Sequence, residues 1–168
     1  MHKILCLSLC LFIFFTSSAL AEVKIAVFDL QDVADKSDVL KQGKEALRKG
    51  FNPRRDQLVQ ERTSLEKKLE DAVKAGNAQQ IREATGQQQA FVKKYETFTA
   101  ELGKADLRVR EDVEQVIKQA AQAFGKKNGY VLVTPINPTS WTDPSQSVTD
   151  VTKDMLTETN RIWKSMTR

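Results

Sequence analysis

Cysteine and histidine are almost absent from this chain of 168 residues, which contains two Cys and one His. All three lie near its start, as His2, Cys6 and Cys10. A structural zinc site needs Cys or His ligands, and catalysis by a Cys nucleophile or a Ser–His pair needs the same side chains. Without its first residues the chain has no candidate for these sites and can form no disulfide. We therefore expect no metal, no cofactor and no enzymatic activity.

The first 21 residues have the features of an export signal. Lys3 is followed by an apolar run of 12 residues from Ile4 to Phe15, which is shorter than the roughly 20 residues that span a membrane. Ala19-Leu20-Ala21 matches the small-residue pattern of a cleavage site. We predict cleavage after Ala21, export, and a mature chain that does not span the membrane; an uncleaved anchor is the alternative.

Charged residues of both signs are abundant, with a mild basic excess. Without residues 1–21, the chain has 25 Lys and Arg against 22 Asp and Glu. Residues 41–68 hold nine of the basic residues and only four acidic ones. The simple interpretation is a solvated helix face, and the functional one is a surface that attracts anionic partners. Interspersed acidic residues and the export signal argue against nucleic acid as a partner.

Two short segments show the alternation typical of β-strands. Residues 23–28 place a β-branched side chain at every second position, and residues 130–134 follow the turn signal Asn128-Gly129. Residues 140–142 are a candidate third strand in a proline-rich stretch, and the sequence leaves that strand open. So few strands cannot bury both faces of a sheet within one chain, so we expect association. The residues predicted for this core and for association are Val23, Ile25, Val27, Val131, Val133, Val151 and Met155.

The long segment between these strands predicts helices with an apolar seam. From Ile81 onward, seam residues alternate at spacings of three and four, which is typical of a coiled coil, and Gln88 is the strongly polar exception. This seam consists of Ile81, Ala84, Phe91, Tyr95, Phe98, Leu102 and Val109. A rougher seam precedes it, made of Leu40, Leu47, Phe51, Leu58, Leu65, Leu69 and Val73.

Gly76-Asn77 separates the two seams. One continuous helix would leave both seams in water, whereas a reversal at this pair lets them cover each other and brings the two strands side by side. Gly and Asn tolerate the left-handed backbone that a tight reversal needs. The sequence therefore predicts an antiparallel hairpin with its tip near residues 76–77.

A kink or break is predicted within the first helix of this hairpin. Pro53 cannot donate a backbone hydrogen bond and clashes with the preceding turn, while Asn52 is a good cap for a restarted helix. We interpret Gly43, Gly50 and Pro53 as a hinge that lets the hairpin open.

The last segment predicts a short helix that packs back on the sheet. Ser147 followed by Asp150 is typical of a capping box, and apolar residues follow at helical spacing. The predicted fold class is α+β. It has a small β-sheet body, a long antiparallel helical hairpin inserted between the strands, and a C-terminal helix.

This order of elements resembles the Skp/OmpH family of periplasmic chaperones. The segments that carry the resemblance are the strands VKIAVFDL and GYVLVT, the turn KAG and the helix DVTKDMLTETN. The resemblance implies a homotrimer in the periplasm of a Gram-negative cell. It places a trimerising body at residues 22–35 and 126–168 and a coiled-coil arm at residues 36–125. It also implies an ATP-independent holdase that keeps unfolded outer-membrane β-barrel proteins in a cavity between three arms and prevents their aggregation.

Basic and exposed apolar residues of the arm are the expected contacts with unfolded proteins or anionic partners. Anionic lipid or lipopolysaccharide is a further partner implied by the resemblance, although only Lys94 and Lys104 fall near the basic patch of some members. The alternative function is a structural coiled-coil spacer or adaptor of the cell envelope. The predicted contact residues are Arg48, Lys49, Arg54, Arg55, Val92, Lys94 and Lys104.

Overall fold

The computed structural model describes residues 23–136 and 147–167. The described part is mostly helical with one small sheet, and the candidate strand at residues 140–142 lies outside the described residues. The elements in chain order are strand β1 (Ile25–Phe28), helix α1 (Leu30–Lys36), helix α2 (Asp38–Lys74), helix α3 (Ala78–Asn128), strand β2 (Leu132–Pro135), strand β3 (Val148–Asp150) and helix α4 (Thr152–Met166).

The sheet has the order β2-β1-β3, and both outer strands run parallel to β1. Ile25 lies opposite Leu132 on one side and Val148 on the other. A parallel pair needs a long crossover connection, and here helices α1, α2 and α3 connect β1 to β2. The two predicted strands are present, and each begins two residues later than the sequence predicted.

The helices cover the face of β1 that carries Ala26 and Phe28. Ala26 and Phe28 are buried, whereas Ile25 and Val27 are half-buried and Val23 is 46% exposed. The period-two alternation is correct. Because the helices pack on the opposite face, Val23, Ile25 and Val27 lie outside the core of the single chain, and their role in association stays a prediction.

The remaining residues predicted for the core divide in the same way. Val151 and Met155 are buried, and Val133 packs against the core while partly buried. Val131 is 74% exposed, so it lies outside the core of the single chain, and its role in association stays a prediction. The backbone N–H of Val131 donates to the carbonyl of Lys24 at 2.9 Å. This hydrogen bond precedes the first residue of β2 and does not require the Val131 side chain to be buried.

Helices α2 and α3 pack against each other and form a hairpin whose turn lies at residues 75–77. Gly76 has φ of 65°, the left-handed conformation that favours glycine. The Asn77 side chain accepts hydrogen bonds from the backbone N–H groups of Gln79 and Gln80 and so caps α3. The turn therefore falls at the pair that the sequence indicated. The exact boundaries of arm and body stay a prediction.

Helix α2 runs through Pro53 without interruption, so the predicted break with a restart at Asn52 is wrong. A proline inside a helix costs about 3 kcal/mol. Contacts on both sides offset that cost: Phe51 packs edge-to-face on Phe98 with ring centroids 5.9 Å apart, and Leu58 is buried. Tertiary packing thus overrides the local signal.

The predicted capping box is also wrong, because residues 148–150 form β3 instead. Helix α4 begins at Thr152, after Val151, which makes no side-chain cap. Asp150 accepts hydrogen bonds from the backbone N–H of Thr152 at 2.9 Å and from its hydroxyl at 2.6 Å. Asp150 therefore supports the start of α4 from outside the helix, while its backbone belongs to the sheet.

Helix α4 also anchors the base of the hairpin. The backbone N–H of Asp38 donates to Oδ1 of Asn160 at 2.8 Å, and Nε1 of Trp163 donates to Oε1 of Gln42 at 3.0 Å. These bonds join the first turns of α2 to the last helix of the chain. The end of the hairpin at which α2 begins is therefore fixed to the core, and the rest of the hairpin extends away from it.

Candidate functional site

An open groove runs along the middle of the hairpin, between α2 and α3, with a volume of about 650 Å³. We call it the arm groove. Its apolar lining consists of Leu58, Val59, Leu65, Phe91, Val92, Tyr95, Phe98 and Leu102. Its polar lining consists of Arg55, Arg62, Glu66, Gln88 and Thr99.

The floor and the rim of the arm groove differ in exposure. Leu58 and Phe98 are buried at the contact between the helices. Val59, Val92 and Tyr95 are 58%, 52% and 50% exposed and form an apolar rim. A rim this exposed contributes little to the stability of a single chain, so it is available to a binding partner.

Aromatic rings line the floor and rim of the groove in a continuous row. Phe91 stacks on Tyr95 with centroids 6.2 Å apart, and Tyr95 tilts toward Phe98 at 6.4 Å. Phe51 continues the row below Phe98. Separations of 4.5–7 Å are those at which aromatic rings attract one another. The row therefore offers further rings the same kind of contact on its open side.

The predicted seam of α3 divides between the helix contact and the groove. Ala84 and Phe98 are buried, and Ile81, Phe91, Leu102 and Val109 are half-buried. Tyr95 is exposed and its assignment to a buried seam is wrong, because a pair of helices covers only a narrow strip of each. Near the tip, Ala72 is buried and Val73 is 57% exposed, so the seam of α2 is shifted there by one residue.

Arginines flank the arm groove, and each has an acidic neighbour. Arg62 Nε donates to Oε1 of Glu66 at 2.7 Å, and Arg55 Nη2 donates to Oδ1 of Asp56 at 3.0 Å. Arg54 lies 5.5 Å from the centroid of the Phe98 ring. Exposed pairs of this kind stabilise a fold by at most about 1 kcal/mol, so their guanidinium groups exchange partners at little cost.

Most of the other basic residues predicted as contacts also form ion pairs. Arg48 and Lys49 both lie near Glu45, at 2.9 and 3.4 Å, and Lys94 pairs with Glu61 at 2.5 Å. The hydrogen bond from Arg48 lowers the pKa of Glu45 to about 2, so this carboxylate stays charged at any physiological pH. Lys104 is exposed. Five of the nine basic residues in 41–68 therefore form ion pairs, namely Arg48, Lys49, Arg54, Arg55 and Arg62.

The three predicted hinge residues occupy different environments. A Cβ atom on Gly43 would lie 2.5 Å from Cγ1 of Val109, so Gly43 marks a close approach of α2 to α3. A Cβ on Gly50 would have no atom within 4 Å. Pro53 is exposed within the continuous helix. Gly43 is thus a packing residue, whereas Gly50 has no close neighbour at its Cβ position and Pro53 is exposed.

A second groove of about 650 Å³ lies between α3 and β2. Its apolar lining includes Phe28, Ile117 and Tyr130, and Lys118 and Lys126 stand at its edge. It continues onto the exposed side chains of Val131 and Leu132 next to the sheet edge. This groove belongs to the body of the fold and has no aromatic row like that of the arm.

The titratable groups of the described residues do not form a reactive cluster. In that part of the chain no three His, Cys, Asp or Glu side chains lie together so that they could hold a metal ion. Glu158 is buried, and a hydrogen bond from Arg161, whose Nη2 lies 2.6 Å away, lowers the pKa of the Glu158 carboxyl. Within residues 23–136 and 147–167, no helix is long and apolar enough to cross a membrane.

Sequence reasoning named Val92 but missed the arm groove as a unit. The signal was two pairs of consecutive apolar residues, Leu58-Val59 and Phe91-Val92. One member of each pair serves the helix contact, and the second widens the apolar stripe beyond what a two-helix seam can cover. Two such pairs on facing helices indicate an open groove.

Comparison with known proteins agrees with the fold and with the resemblance seen in the sequence. No curated protein matches the chain. The family model described as "Outer membrane protein (OmpH-like)" matches residues 24–158, which span every element from β1 into α4. The chain therefore belongs to the OmpH-like, or Skp/OmpH, family of periplasmic chaperones for outer membrane proteins.

Proposed function

We propose that this chain is an ATP-independent holdase that binds unfolded outer-membrane β-barrel proteins, its clients, and prevents their aggregation. The observation that carries the proposal is the exposed apolar rim of the arm groove on a long charged hairpin. Many weak apolar contacts at such surfaces suit a chain that has no fixed shape. Capture of this kind needs no chemical step, so we propose neither a catalytic residue nor a cofactor.

We propose further that three copies associate through the sheet. Val23 and Leu132 are 46% and 49% exposed, and Val148 is 36% exposed, although all three flank or belong to the strands. A small sheet with one bare face is marginal unless another surface covers it. Association would cover this face and place three hairpins around one cavity. The number three rests on the family resemblance.

Gly50 and Pro53 are proposed to let the hairpin bend as clients of different size enter. A Cβ atom on Gly50 would have no atom within 4 Å, and Pro53 is exposed. The carbonyl four residues before Pro53 lacks its usual helical donor, because proline has no N–H. The missing hydrogen bond weakens α2 at this point.

Export and surface charge complete the proposal. The chain acts in the periplasm after cleavage behind Ala21. The basic residues of α2, with Lys94 and Lys104, attract acidic clients at long range, and anionic lipid or lipopolysaccharide is a secondary partner. Nucleic acid is not a partner in this proposal.

Light scattering tests the proposal on the mature chain, with and without an outer-membrane barrel protein diluted from urea. The expected result is a particle with the mass of three chains that keeps the client in a defined complex. A monomer or dimer that lets the client aggregate contradicts it. That result would favour the structural spacer or adaptor, which binds one folded partner and has no need to suppress aggregation.

A further inference from the structure

We propose that the arm groove is a sequence-selective subsite for short extended segments in which an aromatic residue and an acidic residue stand two positions apart, so that both side chains point into the groove. The inference deepens the proposed holdase function and rests on it. It assigns a specific chemistry to one groove, where the general proposal requires only scattered apolar contact.

The dimensions of the groove fit an extended chain. Its lining runs from Arg55 to Glu66 on α2 and from Gln88 to Leu102 on α3. The eleven steps from residue 55 to residue 66 of the helix cover about 16 Å at 1.5 Å each, and an extended chain covers the same distance with about five residues. Every second side chain of such a segment can point into the groove. The groove is therefore long enough for two or three inward side chains.

The apolar chemistry of the groove favours an aromatic guest. The open side of the aromatic row is formed by Tyr95, which is 50% exposed, and by the half-buried Phe91, while Phe98 is buried. A guest ring that enters between Val59 and Val92 covers both valines and meets Tyr95. An aliphatic side chain covers less area and gains no ring contact.

The charge of the lining favours an acidic side chain two positions from that ring. Two guanidinium groups, of Arg55 and Arg62, face one carboxylate, of Glu66. Arg62 engages Glu66 through Nε, and Arg55 engages Asp56 through Nε and Nη2, so both retain N–H groups with no other partner in the described part of the chain. A guest carboxylate can accept these donors without breaking an existing pair. The lining thus complements an aromatic side chain together with an acidic one two positions along the same extended segment.

Two matched double variants of the mature protein test the assignment. The groove variant is Val59→Ser with Val92→Ser, which removes methyl groups that are 58% and 52% exposed. The control variant is Val73→Ser with Leu107→Ser, which removes equally exposed apolar side chains, 57% and 56%, from the same two helices outside the groove. Because all four positions are exposed, circular dichroism and light scattering should show the same helix content and mass for both variants.

The probe is an end-labelled, unstructured peptide of Gly and Ser with one central Tyr-Ser-Asp sequence, and its binding is followed by fluorescence anisotropy. We expect the groove variant to bind it about tenfold more weakly than the parent, since two apolar contacts of the guest are lost, and the control variant to bind within about twofold. Replacing Tyr by Leu in the peptide should also weaken binding to the parent. Replacing Asp by Lys should do so most strongly at low salt.

Equal losses of peptide affinity in the two variants overturn the inference, because the peptide then binds exposed apolar side chains without preference for the groove. A changed particle mass in the groove variant also overturns it, because the groove is then covered by a second copy. Suppression of barrel-protein aggregation by the parent without peptide binding refutes the subsite and leaves the holdase proposal standing. Peptide binding without suppression supports the subsite and refutes the holdase proposal.

Discussion

The close approach of α2 and α3 at Gly43 leads to a sharp prediction about two glycines of one helix. Replacing Gly43 by Ala places a methyl group 2.5 Å from Cγ1 and 3.1 Å from Cγ2 of Val109. Valine is nearly fixed in one rotamer within a helix, so it cannot turn away without strain. Either Val109 changes rotamer or the two helices move apart at the base of the hairpin.

The magnitude follows from two opposing effects. An alanine stabilises a helix interior by about 1 kcal/mol relative to glycine. Overpacking a contact costs about 1–3 kcal/mol. At Gly50, where a Cβ meets no atom within 4 Å, only the first effect applies. Gly50→Ala should therefore stabilise the protein, and Gly43→Ala should be less stable than Gly50→Ala by about 1–3 kcal/mol.

Urea unfolding followed by circular dichroism measures this difference. Both variants must be compared at one protein concentration, because self-association adds to apparent stability. Val109→Ala in the Gly43→Ala background should recover part of the loss, since it removes the two methyl groups that clash. A Gly43→Ala protein as stable as Gly50→Ala would refute the reasoning, and so would a double variant with no recovery.

Three further predictions concern the hinge, a partly buried ion pair and export. Pro53→Ala restores a backbone donor and should narrow the range of hairpin conformations measured by small-angle scattering. An unchanged range would contradict the proposed hinge. The pKa of Glu158 is lowered below its usual 4.5, so its pair with Arg161 stabilises the fold above that pH and the effect fades as the pH falls through the lowered value. Glu158→Gln should lower the urea midpoint at pH 7 and match the parent in strong acid, whereas a constant gap contradicts the ion-pair account. Mass spectrometry of the exported chain should show Glu22 as its first residue, and a retained Met1 would rule out cleavage after Ala21.

The hairpin was the part of the fold that could be predicted best, because its information is local. The seam spacings of α3 and the Gly76-Asn77 pair specify two helices and a reversal without reference to distant residues. Pro53 shows the limit of local reasoning. Its penalty is visible in the sequence, but the opposing contacts of Phe51 and Leu58 with the second helix are not.

The sheet was harder to predict because its pairing is long-range. Residues 23–28 alternate, but apolar side chains stand on both faces, so periodicity alone could not show that Ala26 and Phe28 face the helices. The sequence of residues 147–150 is compatible with a capping box and also with a strand. Pairing with β1 selects the strand. The arm groove was visible only as adjacent apolar pairs, whose meaning depends on which helix faces which.

The parallel pairing of β1 with β2 has a consequence for the order of folding. Ile25 must find Leu132 across more than a hundred residues of chain, and contacts of such separation form slowly unless intervening structure brings the ends together. The hairpin does this, because its helices form by local contacts and return the chain to its starting point. Equal insertions or deletions of whole heptads in α2 and α3 therefore leave the sheet register intact, while a change in one helix alone displaces β2 from β1. The length of the hairpin is free to vary in evolution only in this paired way.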